Sequence, residues 1–206
     1  MMTTEAGRGY EELELKAVVT DPAALRAHLA AVGAVRFFVG LLEDRRLDRD
    51  GQLRAKDHVL RVRTWRAEGQ AARAEIGWKG PTRRSSEGLK LRTELELGVA
   101  DGAAALGLLE ALGFGVIQAI DRYVEVFALV GATLRLEWYP RMDVLLEVEG
   151  TPDAIDAGVR ATGMPRAVFV PDALPEFVAR FEAREGQSAV LSVAELHGER
   201  PTWARR

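Results

Sequence analysis

Three stretches of this chain alternate glutamate with an apolar residue: E-L-E-L at 12–15, E-L-E-L at 94–97 and E-V-E at 147–149. A strand sends successive side chains to opposite faces, so each stretch gathers its carboxylates on one face and its leucines or valine on the other. A helix signal follows each one. ELELKAVVTDPAALRAHLAAVG at 12–33 is echoed by ELELGVADGAAALGLLEALG at 94–113, and more loosely by LEVEGTPDAIDAGVRATG at 146–163. Asp21, Asp101 and Thr151 stand where a helix opens, and Gly33, Gly113 and Gly163 where it stops. A repeated strand-and-helix unit predicts a fold with internal pseudo-symmetry.

Between these units the alternation continues. VRFFVGLLEDRRL at 35–47 reads as a strand, and DRDG at 48–51 as a turn with Gly51 at positive φ. HVLRVRTW at 58–65 sets Arg61, Arg63 and Trp65 opposite Leu60, Val62 and Thr64, and RAEIGWK at 73–79 sets Arg73, Glu75, Gly77 and Lys79 opposite Ala74, Ile76 and Trp78. GPTRRSSEG at 80–88 reads as an exposed loop. GLKLRTELELG then places Lys90, Arg92, Glu94 and Glu96 on one face. Residues 115–130 carry one or two strands around Arg122, 132–140 put Arg135 and Glu137 on one face, and 143–150 put Glu147 and Glu149 together. An amphipathic helix is expected at about 174–185 and a short one from Ser192, where Glu195 completes a capping-box spacing; the tail GERPTWARR reads as frayed.

Composition excludes several chemistries. There is no cysteine, which removes thiolate catalysis and cysteine-ligated metal sites, and His28, His58 and His197 form no short metal-binding spacing. With 28 Lys+Arg against 31 Asp+Glu the formal net charge is -3, without the basic footprint of a general nucleic-acid binder. No run approaches the ~18 apolar residues of a membrane span, and neither phosphate-loop nor dinucleotide glycine motifs occur. A single cytoplasmic domain over 1–206 is expected, with a core of about 10–165 and a helical extension over about 166–206.

Which face of the strands points inward decides the function. In an ordinary sandwich the leucines meet in the core and the charges face water. If instead the sheet curls into a barrel with helices outside, the six glutamates of the three acidic strands converge on its interior. Lys16, Arg61, Arg63, Lys79, Lys90, Arg92 and Arg135 converge there too. Buried charge is tolerated when paired or ligated, so such an interior suits a polyanion and metal ions. Arginine forks grip phosphate from several sides, and carboxylates supply the oxygen ligands that magnesium or manganese requires.

E-L-E-L-K at 12–16 resembles the ExExK signature of the CYTH domain, the triphosphate tunnel metalloenzymes. EDRRLD at 43–48, LRVR at 60–63, WKGP at 78–81, LRTELE at 91–96 and LLEVEG at 145–150 follow in that family's order, so the likeness spans about residues 10–165. The resemblance implies an α+β fold, an eight-stranded antiparallel β-barrel with helices packed on the outside. It implies that Glu12, Glu14, Glu147 and Glu149 bind Mg2+ or Mn2+, joined by Glu94, Glu96 and Glu137. Lys16, Arg61, Arg63, Lys79, Lys90, Arg92, Arg122 and Arg135 would hold a small-molecule triphosphate, with Lys16, Lys79 and Arg63 closest to the chemistry.

The activity implied is that of a class IV adenylate cyclase, converting ATP to cyclic AMP and pyrophosphate. Hydrolysis of inorganic tripolyphosphate, thiamine triphosphate or a nucleoside triphosphate is the alternative, and non-catalytic binding of polyphosphate or nucleotide a third. Two departures bear on the choice: Ile120 stands where cyclases usually carry a lysine two residues before the arginine, and Glu137 stands where an aspartate is usual. No nucleic-acid or membrane partner is expected, and dimerisation through an outer apolar face is open to such a barrel.

Overall fold

The computed structural model describes residues 10–84 and 90–205; the predicted loop residues 85–88 and the side chains of Glu12 and Lys90 lie outside the described part. Among the described residues nine strands occur in chain order. They are β1 (Tyr10–Val18), β2 (Val35–Asp48), β3 (Val59–Arg66), β4 (Arg73–Lys79), β5 (Arg83–Arg84), β6 (Lys90–Val99), β7 (Gly115–Leu129), β8 (Ala132–Trp138) and β9 (Leu145–Glu149). Hydrogen bonding runs β1-β9-β8-β7-β2-β3-β4-β6 and returns from β6 to β1, closing an eight-stranded antiparallel barrel. The two-residue β5 pairs with β6 beyond the point where β4 leaves it, so the loop predicted at 80–88 contains a short strand.

The repeat is real at the level of caps. Helices α1 (Pro22–Ala31), α2 (Gly102–Ala111) and α3 (Pro152–Ala161) are each 10 residues long and follow the three acidic strands. Asp21 accepts from the Ala24 N–H (2.9 Å), Asp101 from Ala103 (2.8 Å), and Thr151 from Ala154 (3.3 Å). Gly33, Gly113 and Gly163 follow at φ +85°, +89° and +71°, the left-handed geometry that ends a helix.

The leucines do turn outward. Leu15 and Ala17 of β1, Leu134 and Leu136 of β8, and Leu146 and Val148 of β9 pack against Leu25 and Leu29 of α1 and Ile155 and Val159 of α3. The outer face of β6 departs from this pattern: Leu95 and Leu97 are 41% and 61% exposed, because α2 lies over β3 and β4 instead. A fourth helix, α4 (Leu174–Glu185), closes one end of the barrel. Its Leu174, Phe177 and Phe181 pack with Ile120, Tyr139 and Leu145, where Ile120 and Leu145 occupy the inward positions next along their strands from Arg122 and Glu147.

The carboxy-terminal segment is docked, contrary to the frayed tail expected. The Thr202 hydroxyl donates to the Tyr139 carbonyl (2.6 Å), the Thr202 N–H to the Pro140 carbonyl (3.0 Å), and Trp203 packs against the main apolar cluster. The short helix after Ser192 forms as a 3-10 turn at Val193–Leu196. Its expected side-chain cap is absent because the Ser192 hydroxyl donates to Asp121 Oδ2 (2.9 Å). Among the described residues no helix is long and apolar enough to cross a membrane.

Candidate active site in the barrel interior

The pairing registers bring the predicted residues onto one inner surface. On neighbouring strands Glu14 stands opposite Glu149, Lys16 opposite Glu147, Arg135 opposite Glu147, and Lys79 opposite Glu94. Like charges directly opposite repel, so the Glu14 and Glu149 pair requires a cation nearby. Lys16 supplies one. Its ammonium lies 2.6 Å from Glu14 and 2.8 Å from Glu147. Burial works against the lysine charge, but the two carboxylates overcome that and hold its pKa above the ordinary lysine range.

From Glu147 the network continues around the wall. Arg135 pairs with Glu147 and donates through Nε to Glu137 Oε1 (2.7 Å); Arg122 donates to the same oxygen (2.9 Å) and to Asp44 Oδ2 (3.1 Å). The Tyr139 hydroxyl donates to the other Glu137 oxygen (2.6 Å). Glu137 is therefore fully inaccessible and grips two arginines. Burial alone would raise its pKa, but Arg122 and Arg135, with the tyrosine hydrogen bond, bring it down to about 2. Asp44 is equally buried; Arg61, Arg46, Arg122 and Arg63 outweigh its desolvation and depress its pKa.

A second cluster lies on β3, β4 and β6. Arg63 pairs with Glu75 (2.6 Å) and with Glu96, Arg61 with Glu94 (3.4 Å) and Glu96 (3.5 Å), and Lys79 with Glu94. Gly77 makes room for this cluster: a Cβ there would sit 3.2 Å from Arg61 Nε and 3.3 Å from its Cγ. A cavity of about 250 Å3 separates the two clusters, lined by Arg63, Glu75 and Glu96 on one side and Arg135 and Glu149 on the other. A larger open groove of about 660 Å3 along the start of β2 holds none of the predicted site residues.

Arg92 departs from its neighbours. It donates through Nε to the Gly80 carbonyl (2.7 Å) and through Nη2 to the Asp57 carbonyl, which commits it to holding the turns at 57 and 80 together. Sequence reasoning passed over Asp44, Arg46 and Tyr139. Asp44 and Arg46 carried an i, i+2 signal in EDRRLD that would have placed them inward with Arg122's partners. Tyr139 lies beyond the end of β8, where strand parity no longer tells which way a side chain turns.

The donor set suits a hard divalent cation. Glu14, Glu147 and Glu149 offer only oxygen, and the backbone of Glu12 stands opposite Arg92 in the β1–β6 register. Among the described residues no three such side chains converge on one point; Glu14 and Glu147 converge on the Lys16 ammonium instead. One Asp44 oxygen and the Nε atoms of Arg63 and Arg122 are buried without a hydrogen-bond partner, leaving both acceptor and donor capacity inside the barrel.

Solved structures share this architecture. A Pyrococcus horikoshii protein superposes with a TM-score of 0.64 at 21% identity, over 81% of this chain and 98% of its own. A candidate adenylate cyclase from Vibrio parahaemolyticus gives 0.68 at 15% identity, over 84% and 99%. The Hippeastrum protein HpAC1, described as a candidate adenylyl cyclase with a dominant triphosphatase activity, gives 0.58 at 20% identity, over 85% and 96%. This is the CYTH, or triphosphate tunnel, fold. No family model matches the sequence, and no curated protein does. At these identities the likeness concerns the fold, and the tunnel's chemistry has to be argued from its own side chains.

Proposed function

We propose that this protein is a metal-dependent enzyme that hydrolyses a triphosphate held in the tunnel. The observation that carries the reading is the set of cations on the inner wall, Lys16, Arg61, Arg63, Arg122 and Arg135, each tied to a carboxylate, with Arg63 and Arg135 lining one small cavity. A well-packed apolar interior of the same volume is often at least as stable as buried ion pairs of this kind, because of the cost of desolvating the charges. Their retention makes sense where an anionic ligand can take over one side of each pair. Mg2+ or Mn2+, bound by Glu14, Glu147 and Glu149 with Glu12, would polarise phosphate oxygens as a Lewis acid.

The chain's own contribution is preorganisation. Glu137 holds Arg122 and Arg135 in fixed orientation, so both guanidinium groups face incoming phosphate oxygens without a further cost of ordering. Arg63 and Lys79 approach from the facing wall and, with Lys16, would neutralise charge as it shifts onto the leaving phosphate.

Position 120 favours hydrolysis over cyclisation. Where a cyclase of the resembling group would place a lysine, Ile120 is fully buried against Leu174, Phe177 and Phe181 at the sealed end, and brings no charge to the substrate. HpAC1, which shares the fold, is described as having a dominant triphosphatase activity, and this supports the hydrolase reading. The test is product identification by phosphorus NMR after incubation with Mg2+ or Mn2+ and either ATP or tripolyphosphate. Orthophosphate release that Glu147→Gln and Glu12→Gln abolish supports the proposal; cyclic AMP with pyrophosphate moves the assignment to the cyclase; tight binding without turnover makes the tunnel a polyphosphate sensor.

A further inference from the structure

The open mouth of the tunnel is lined unequally. Arg73, Glu75, Glu96, Thr133 and Glu149 stand along part of it, but Phe38, Trp65 and Val126 form an apolar arc on the same cavity. These belong to a cluster with Leu42 and Val124. By strand parity Phe38 and Leu42 share the inner face of β2 with Asp44, Trp65 shares that of β3 with Arg63, and Val124 and Val126 share that of β7 with Arg122. The arc is thus a part of the barrel's interior where charge gives way to aromatic surface, a change of chemistry that a chain of phosphates alone does not call for.

Two local features adapt this arc for contact. The β2–β7 register skips from Arg36 opposite Phe127 to Phe38 opposite Val126, leaving Phe37 as the extra residue of a bulge. A bulge re-aims side chains, and here Phe37 and Phe38 both reach the cavity, with Phe37 61% exposed. Trp65 fixes the inner edge. Phe38 meets its ring edge-on at 5.2 Å, and the guanidinium groups of Arg63 and Arg73 lie 5.6 and 5.1 Å from its centroid. Trp65 is only 7% exposed, and its indole N–H is buried without a hydrogen-bond partner. One aromatic is therefore committed to holding arginines, while Phe37 offers open ring surface beside the phosphate-binding cations.

We infer that Phe37 and Phe38, backed by Trp65 and Val126, bind an aromatic heterocycle carried on the substrate, so that the tunnel selects an organic triphosphate over inorganic tripolyphosphate. The inference rests on the triphosphate reading above and adds to it a specificity wall. A flat ring stacked on Phe37 would bury apolar surface on both partners, while its phosphate tail reaches Arg63 and Arg135 on the same cavity.

The test measures kcat/KM for ATP, thiamine triphosphate and tripolyphosphate with Mg2+ in the wild type, Phe37→Ser and Phe38→Leu, reporting each organic substrate as a ratio to tripolyphosphate. Phe37 is exposed, so its replacement leaves the core intact. The wild-type ratio should exceed one for at least one organic substrate, and should fall about tenfold in either variant through KM. Whichever organic substrate shows the fall identifies the heterocycle. A ratio that neither substitution changes, or a wild type indifferent to the organic group, overturns the inference. If the wild type turns over none of the three, the hydrolase reading fails, and metal-free binding followed by tryptophan fluorescence decides the inference alone. Tighter binding of ATP or thiamine triphosphate than of tripolyphosphate, lost in Phe37→Ser, upholds it, and equal binding overturns it.

Discussion

Replacing Glu137 by glutamine keeps the side chain's shape and removes its charge, leaving Arg122 and Arg135 buried without their shared counter-ion. The fall of the Glu137 pKa from the ordinary 4.5 to about 2 corresponds to about 3 kcal/mol of stability from ionisation in the folded state. Removing one partner of a buried ion pair costs about 3–5 kcal/mol in general, which agrees. Because the folded pKa is depressed, this stability is fully present above the ordinary value and is lost as pH falls towards the folded one. Urea unfolding followed by tryptophan fluorescence should therefore show the wild type more stable than Glu137→Gln by about 3 kcal/mol at neutral pH, and by about half of that near pH 3. A gap that is the same at both pH values, or below about 0.5 kcal/mol at neutral pH, would refute the view that Glu137 anchors the arginines.

Three further outcomes follow from particular contacts. In Lys16→Met, Glu14 and Glu147 lose their shared cation, so Mg2+ should raise the melting temperature of the variant more than that of the wild type; equal shifts would count against a carboxylate cation site. Gly77→Val places carbon where Arg61 now lies, and KM for the triphosphate should rise about tenfold with an unchanged circular dichroism spectrum. Trp203→Ala should cost about 2 kcal/mol, since the half-buried ring packs on the main cluster; a change too small to measure would restore the frayed tail.

The strands and helices were legible because each declared itself locally. Alternation in ELELK and LRTELEL put glutamates and cations on one face, and Asp21, Asp101 and Thr151 cap where an N-cap residue is expected. What lay beyond the sequence depends on closure of the barrel. Glu137 looks like one more acidic residue on an alternating strand, and its grip on Arg122, Arg135 and Tyr139 exists only once β7 and β8 pair and the chain beyond β8 turns back. The aromatic arc was hidden for a related reason. Trp65 alternated correctly with Arg61 and Arg63, but its meeting with Phe38 depends on the β2–β3 pairing that sets the two inner faces side by side. The sealing of one end by α4 required knowing which way that helix docks, which amphipathicity alone leaves open.

The central claim, that the inner surface and not the outside of the barrel takes the triphosphate, is tested most directly by crystals grown with Mn2+ and tripolyphosphate. Anomalous diffraction should place manganese beside Glu14 and Glu147, and phosphate density within hydrogen-bond reach of Arg63, Arg122 and Arg135. Phosphate and manganese found only on the outer surface, with Lys16 still bridging Glu14 and Glu147, would contradict it.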